Sequence, residues 1–206
     1  MENIKSYQLL LTSTENKNYS QLFNSNTQSE LQGAIKSWDL INENILKKDK
    51  DMISEVTIDA VVIKYDSKPD IKFDTFVEGI KGAYNNNDNL TFSLKTTQDC
   101  YLTIFVISDK EASVMYPNSY EKPKKLIENI QYNFPIEKID YKLTLTNDKS
   151  RETNHLFFVF TKSQIPFIKM NKEGLIPNQD DIFTWMYSIE PNQRKLTYQS
   201  VIIVKP

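Results

Sequence analysis

Few residues in this sequence have the types and spacing that chemistry requires. Nucleophilic catalysis by a thiol would have to use Cys100 and His155, the single cysteine and the single histidine. A nucleophile and its base must lie within hydrogen-bond reach, with a third group orienting the base. Each of the two opens an apolar run, Tyr101–Ile107 and Leu156–Phe160, so they could meet across a sheet. No orienting group accompanies them, and a buried thiol with a strand-end imidazole accounts for both. A Ser–His–acid triad would need the same His155, and the sequence has no Gly-x-Ser-x-Gly elbow. One cysteine and one histidine cannot fill a four-ligand zinc site or form an intramolecular disulfide. The four glycines, Gly33, Gly79, Gly82 and Gly174, never approach the spacing of a phosphate-binding loop.

The charged and polar clusters are equally plain. Asp180-Asp181 follows Pro177-Asn178 and reads as the acidic first turn of a helix. The run Asn85-Asn86-Asn87-Asp88-Asn89 offers oxygen ligands, but a calcium loop sets several acids at alternating positions and this run has one. Lys122-Pro123-Lys124-Lys125 is a basic patch in a chain of net charge −2 whose only arginines are Arg151 and Arg194. Arginine supplies the bidentate contacts of nucleic-acid readout, so that function is poorly supported. The reading is therefore no catalytic residue, no metal and no cofactor. A sugar platform would use the aromatic residues. However, Phe92, Phe105, Tyr132, Phe134, Tyr141, Phe158 and Phe160 occupy strand positions, as a core requires, and Trp38 and Trp185 read as packing anchors on helices.

The elements that would position these residues come mostly from alternation. An amphipathic helix is expected over 28–48: Thr27 and Ser29 precede Glu30 and Gln32 in capping-box spacing, and Leu31, Ile35, Trp38, Ile41 and Ile45 recur at helical intervals. Strands are expected at Val56–Ile63, Leu90–Leu94, Tyr101–Ile107, Ser113–Tyr116, Ile130–Phe134, Tyr141–Leu145, Leu156–Phe160 and Lys195–Val204. Residues 67–89 read as a long connection, and Tyr7–Leu11 as a short strand or as disordered. A second helix follows Asn178, carries Ile182, Trp185, Met186 and Ile189 on one face, and ends at Pro191. Turn signals every 8–14 residues point to an antiparallel sandwich, not to an alternating α/β fold. No stretch approaches the roughly 18 apolar residues of a membrane-spanning helix.

A run of short motifs goes further. Asn87-Asp88-Asn89-Leu90-Thr91-Phe92, Asp99-Cys100-Tyr101-Leu102-Thr103-Ile104-Phe105, Ser113-Val114-Met115-Tyr116-Pro117-Asn118, the segment Ile127–Pro135 and the exit Thr161-Lys162-Ser163-Gln164-Ile165-Pro166 stand in a definite order. Over about residues 81–167 the chain resembles the bacterial domain-of-unknown-function family 4384. Asn87, Lys110 and Asn129 stand where that family often has glycine, and asparagine tolerates the left-handed turn conformation that glycine supplies. The resemblance implies an immunoglobulin-like β-sandwich appended to other bacterial parts, often of the cell envelope. It carries over no catalytic residue.

The expectation is a mainly β, immunoglobulin-like sandwich over 53–206, preceded by a polar segment and helix over 1–52. Its expected role is a non-enzymatic protein–protein interaction module of a larger bacterial assembly. The alternatives are a glycan or small-ligand module and a Cys–His enzyme. The partner-facing loop would carry Tyr116, Pro117, Asn118 and Lys124. Partners would be other proteins of the same assembly or chain, without nucleic acid or membrane insertion. The compartment would be the cytoplasm if Met1 is native, or the periplasm or envelope if a leader once preceded it.

Overall fold

The computed structural model describes residues 9–12, 20–23, 33–48, 51–108, 111–146, 149–167 and 177–206. At its centre lie β8 (Cys100–Ile107) and β12 (Arg151–Thr161), paired antiparallel with Phe157 opposite Phe105. Both strands are apolar at consecutive positions, so both of their faces must be covered. The sheet continues on one side through β13 (Arg194–Val204) to β6 (Ala83–Asn85). On the other side, β10 (Lys125–Leu126) and β9 (Ala112–Tyr116) pair with successive parts of β8. The pairing of β13 with β6 is parallel, a departure from the all-antiparallel expectation.

One face of this sheet packs on a second sheet, ordered β11 (Tyr132–Phe134), β7 (Phe92–Thr96) and β5 (Thr75–Glu78). Leu102, Ile104, Leu156, Phe158 and Phe160 meet Phe92, Leu94 and Phe134 there. Phe92 lies flat on Phe134 with ring centroids 5.0 Å apart and takes the edge of Phe158 at 5.4 Å. These layers make the expected β-sandwich. The opposite face carries helix α1 (Gln179–Ser188), whose Ile182, Met186 and Tyr187 pack with Phe105, Phe157 and Val159. Asn178 caps the helix by accepting the Asp181 N–H at 2.7 Å. At the other end, the Arg194 guanidinium donates to the carbonyls of Met186 and Ile189 and to the Tyr65 hydroxyl. Trp185 is the expected anchor, edge-on to Phe105 at 5.5 Å and to Phe167 at 5.6 Å.

The expected helix over 28–48 is overturned. Residues 33–48 form strand β3 (Gly33–Lys48), which pairs antiparallel with β4 (Asp51–Lys64) as a two-stranded ribbon about 45 Å long at strand rise. Two irregularities in register explain the false helical period. They fall between Ile35 and Ser37 and between Leu40 and Asn42, and each absorbs one residue. Ile35 and Trp38, three apart in sequence, therefore stand only two ladder positions apart, opposite Val62 and Ala60. Gly33, Ser37, Asp39, Asn42 and Asn44 are weak helix formers, whereas β4 is rich in β-branched residues. Residues 28–32 and the side chain of Trp38 lie outside the described set. The ribbon runs through residue 52, where the sequence suggested a division.

Two smaller expectations change. The connection 67–89 contains β5 and β6, of four and three residues, too short for alternation to declare. Tyr141–Leu145 is not a strand; it joins residues 87–90 through one bridge, Asn89 to Lys142, and three backbone hydrogen bonds. Tyr7–Leu11 falls partly outside the described residues, which include β1 (Leu9–Thr12) paired with β2 (Ser20–Phe23). Asn87 and Asn129 adopt φ of 72° and 62°, the left-handed geometry expected where the family has glycine. Lys110 lies outside the described residues. Among these residues, no helix is long and apolar enough to cross a membrane.

Phe158 is fully buried between the sheets, whereas Ile45 on the ribbon is 63% exposed. Phe158→Ala should therefore lower the unfolding free energy by about 3–5 kcal/mol. Ile45→Ala should change it by no more than about 0.5 kcal/mol. Urea titrations of both variants against the parent chain check this contrast.

Candidate functional site

The loop that follows β9 is braced by its own residues. Tyr116, its first residue, is fully buried, with its ring edge-on to Phe134 at 5.2 Å. Its hydroxyl accepts the Lys124 N–H at 3.0 Å and donates to the Lys122 carbonyl at 3.1 Å. Burial pushes the phenol above its ordinary range, against the Lys124 hydrogen bond. The peptide bond to Pro117 is cis. Asn118 then closes a side-chain turn: its Oδ1 accepts the N–H groups of Tyr120 and Glu121, both at 2.8 Å, and its Nδ2 donates to the Met115 carbonyl at 2.7 Å.

Glu121 joins this loop to the next one. Its carboxylate is buried and accepts the N–H groups of Ile136 and Glu137 at 2.6 and 2.9 Å, together with the Tyr141 hydroxyl. A buried carboxylate is tolerated only when it is bonded in this way. Of the four residues expected to face a partner, Tyr116 points into the core and Asn118 is turned back on its loop. Pro117 is half-buried, and Lys124 is exposed with its ammonium 5.5 Å from the Tyr132 ring centroid. The sequence reading missed Tyr120, which is 76% exposed beside them. Its spacing from Asn118 in an Asx turn was the available signal.

The other candidates separate. Cys100 begins β8, whereas His155 stands opposite Ile107 at the far end of that strand, about 23 Å away at strand rise. The Cys–His dyad is therefore excluded by register. Burial pushes the Cys100 thiol up to about 11, and His155 Nδ1 lies 2.6 Å from the Tyr198 hydroxyl. Asp88 accepts the Asn85 N–H at 2.8 Å and closes its own turn. Lys125 of the basic patch is paired with Asp99 at 2.7 Å. Among the described residues, no three of His, Cys, Asp and Glu cluster as a metal site requires.

A cleft of about 530 Å³ opens at one end of the sandwich, between β9 and residues 140–146. Val106, Met115 and Leu156 line its apolar side. Glu152 and Asn154 of β12 also border it, and both are buried. Glu152 accepts the Thr146 N–H at 2.9 Å and the Thr146 hydroxyl, and pairs with Lys149 at 3.0 Å. Burial alone would raise this carboxyl, but the Thr146 and Lys149 bonds outweigh it and hold it below the usual carboxylate range.

Residues 83–163 match the family described as "Domain of unknown function (DUF4384)". The match spans β6 to β12 and holds the cleft wall, the Tyr116–Lys125 loop and Glu121. No curated protein matches the chain.

Because the Glu152 carboxyl is depressed on folding, its contribution is present above the unfolded carboxylate range and is lost as pH falls through the folded value. Glu152→Gln should lower stability by about 1.5–3 kcal/mol at neutral pH. The gap to the parent should close as the pH falls below about 4. Paired urea titrations across pH measure it, and a gap independent of pH would remove the carboxylate from this role.

Proposed function

We propose that the chain is a non-enzymatic interaction module of a larger bacterial assembly, in contact with other proteins through the β3–β4 ribbon. The observation that carries this reading is the exposure of large aliphatic side chains along the ribbon: Leu40 53%, Ile41 64%, Ile45 63% and Val61 57%. Several large apolar side chains left exposed on one element mark it as a candidate contact surface. The base of the ribbon is fixed, since Tyr65, directly after β4, is buried and donates to the Tyr187 carbonyl at 2.8 Å. A long arm on a fixed base suits docking to a partner better than it suits enclosing a substrate. The exposed Tyr120 and Lys124 would extend the contact surface on the loop after β9.

The separation of Cys100 from His155 supports a role without covalent catalysis. Placement in the cell envelope rests on the family resemblance. A sugar-binding reading draws less support, because among the described residues Tyr141 is the only aromatic that lines the cleft, and it is held by Glu121.

The test is cross-linking of the full chain in its native host, compared with the triple variant Leu40→Asp, Ile41→Asp, Ile45→Asp. The parent should give a defined set of adducts. The variant should lose at least about tenfold of them, with its stability unchanged within about 0.5 kcal/mol per substitution. An identical adduct pattern for the two chains would rule out the ribbon as the docking element.

A further inference from the structure

The cleft at the end of the sandwich has features that the ribbon does not explain. The first is a backbone edge. Among the described residues β9 pairs only with β8, and the Ser108 N–H donates to the Glu111 carbonyl at 2.8 Å to close their hairpin. Counting alternately from that bond, Val106 and Ser113 exchange hydrogen bonds, while Ala112 and Val114 present their N–H and C=O groups outward. Among the described residues nothing takes them up. The second is a side-chain amide. Asn154 is only 8% exposed, borders the cleft, and makes no side-chain hydrogen bond to any described residue. Its amide borders the cleft, where a ligand can bond it without displacing a protein partner among the described residues. An amide offers one acceptor and two donors, a match for a peptide group.

The third feature is the wall. Val106, Met115 and Leu156 give an apolar side, and the mouth carries the exposed carboxylates of Glu111 and Asp140 against the single ammonium of Lys142. Glu152 is already neutralised by Lys149. The rim therefore holds an excess of negative charge.

We propose that this cleft binds an extended segment of a partner protein, which adds as a strand to the free edge of β9. The segment places an apolar side chain against Leu156 and Met115, offers a peptide group to Asn154, and carries a lysine or arginine toward Glu111 and Asp140. Main-chain pairing supplies affinity, and the wall and rim supply selection. The proposal concerns a surface distinct from the β3–β4 ribbon, so the ribbon variant above leaves it intact and failure of either test leaves the other reading standing.

The test uses the full chain and a phage-displayed library of random nonapeptides. The selected peptides should alternate apolar and polar residues and carry lysine or arginine. For the strongest of them, N-methylation of alternate backbone amides should weaken binding at least about tenfold by titration calorimetry, and so should Asn154→Leu. The exposed double variant Glu111→Lys, Asp140→Lys does not threaten the core, and should instead select peptides rich in aspartate or glutamate. Recovery of no binder overturns the proposal, as do binders indifferent to both variants. Concentration-dependent amide shifts at Ala112 and Asn154 in the protein alone would also overturn it, because the occupant would then be a second copy.

Discussion

Leu102, Ile104, Leu156, Phe158 and Phe160 project to one side of the central strand pair, and Phe105, Ile107, Phe157 and Val159 to the other. Each such side chain favours burial by about 1.5–3 kcal/mol. A single layer cannot cover both sides, so the remaining elements divide into two covers. The three-stranded sheet closes one side with Phe92, Leu94 and Phe134. Helix α1 closes the other, and Arg194 fixes it there by bonding the carbonyls at the helix C-terminus while stacking 5.0 Å from the Tyr65 ring and 5.1 Å from the Tyr187 ring. Without the two-sided burial of β8 and β12, neither cover would have a surface to hold.

The same constraint sets the extent of the folding unit. The matched family segment ends at residue 163, before α1 and β13. Yet β13 lies between β12 and β6 inside the main sheet, and α1 covers Phe157 and Val159. Cut at the end of the matched segment, the sheet would lose a central strand and one of its covers. The unit that buries this core therefore reaches Val204.

What was legible in the sequence followed from burial. Strands buried on both faces show as continuous apolar runs, as β8 and the second half of β12 do. A helix announced by a cap and an apolar stripe, as at Asn178 and Ile182, was also plain. Two kinds of information were not. The ribbon hides behind a period that its register irregularities create, because residues three apart imitate a helical face when a strand absorbs an extra residue. The cleft is a property of assembly: β9 and residues 140–146 are brought opposite each other only once both sheets are packed. The sequence places Tyr116 on a partner-facing loop, but its buried ring and hydroxyl organise that loop from inside. Glu121 showed no signal at all, since a lone glutamate in a charged loop looks solvated until the loop folds over it.

The position of β13 also bears on how the chain reaches this structure. β6 is parallel to β13, with Ala83 opposite Ile202, so the contact joins segments more than a hundred residues apart. Such pairings raise contact order, and the entropy of closing the intervening loop must be overcome before the contact stabilises anything. The local hairpins, β8 with β9 and β3 with β4, can form early and independently. The sheet is completed only when β13 enters beside β12, so until then β12 has an open edge. That interval, more than any weakness of the finished core, is when this chain is most exposed to aggregation.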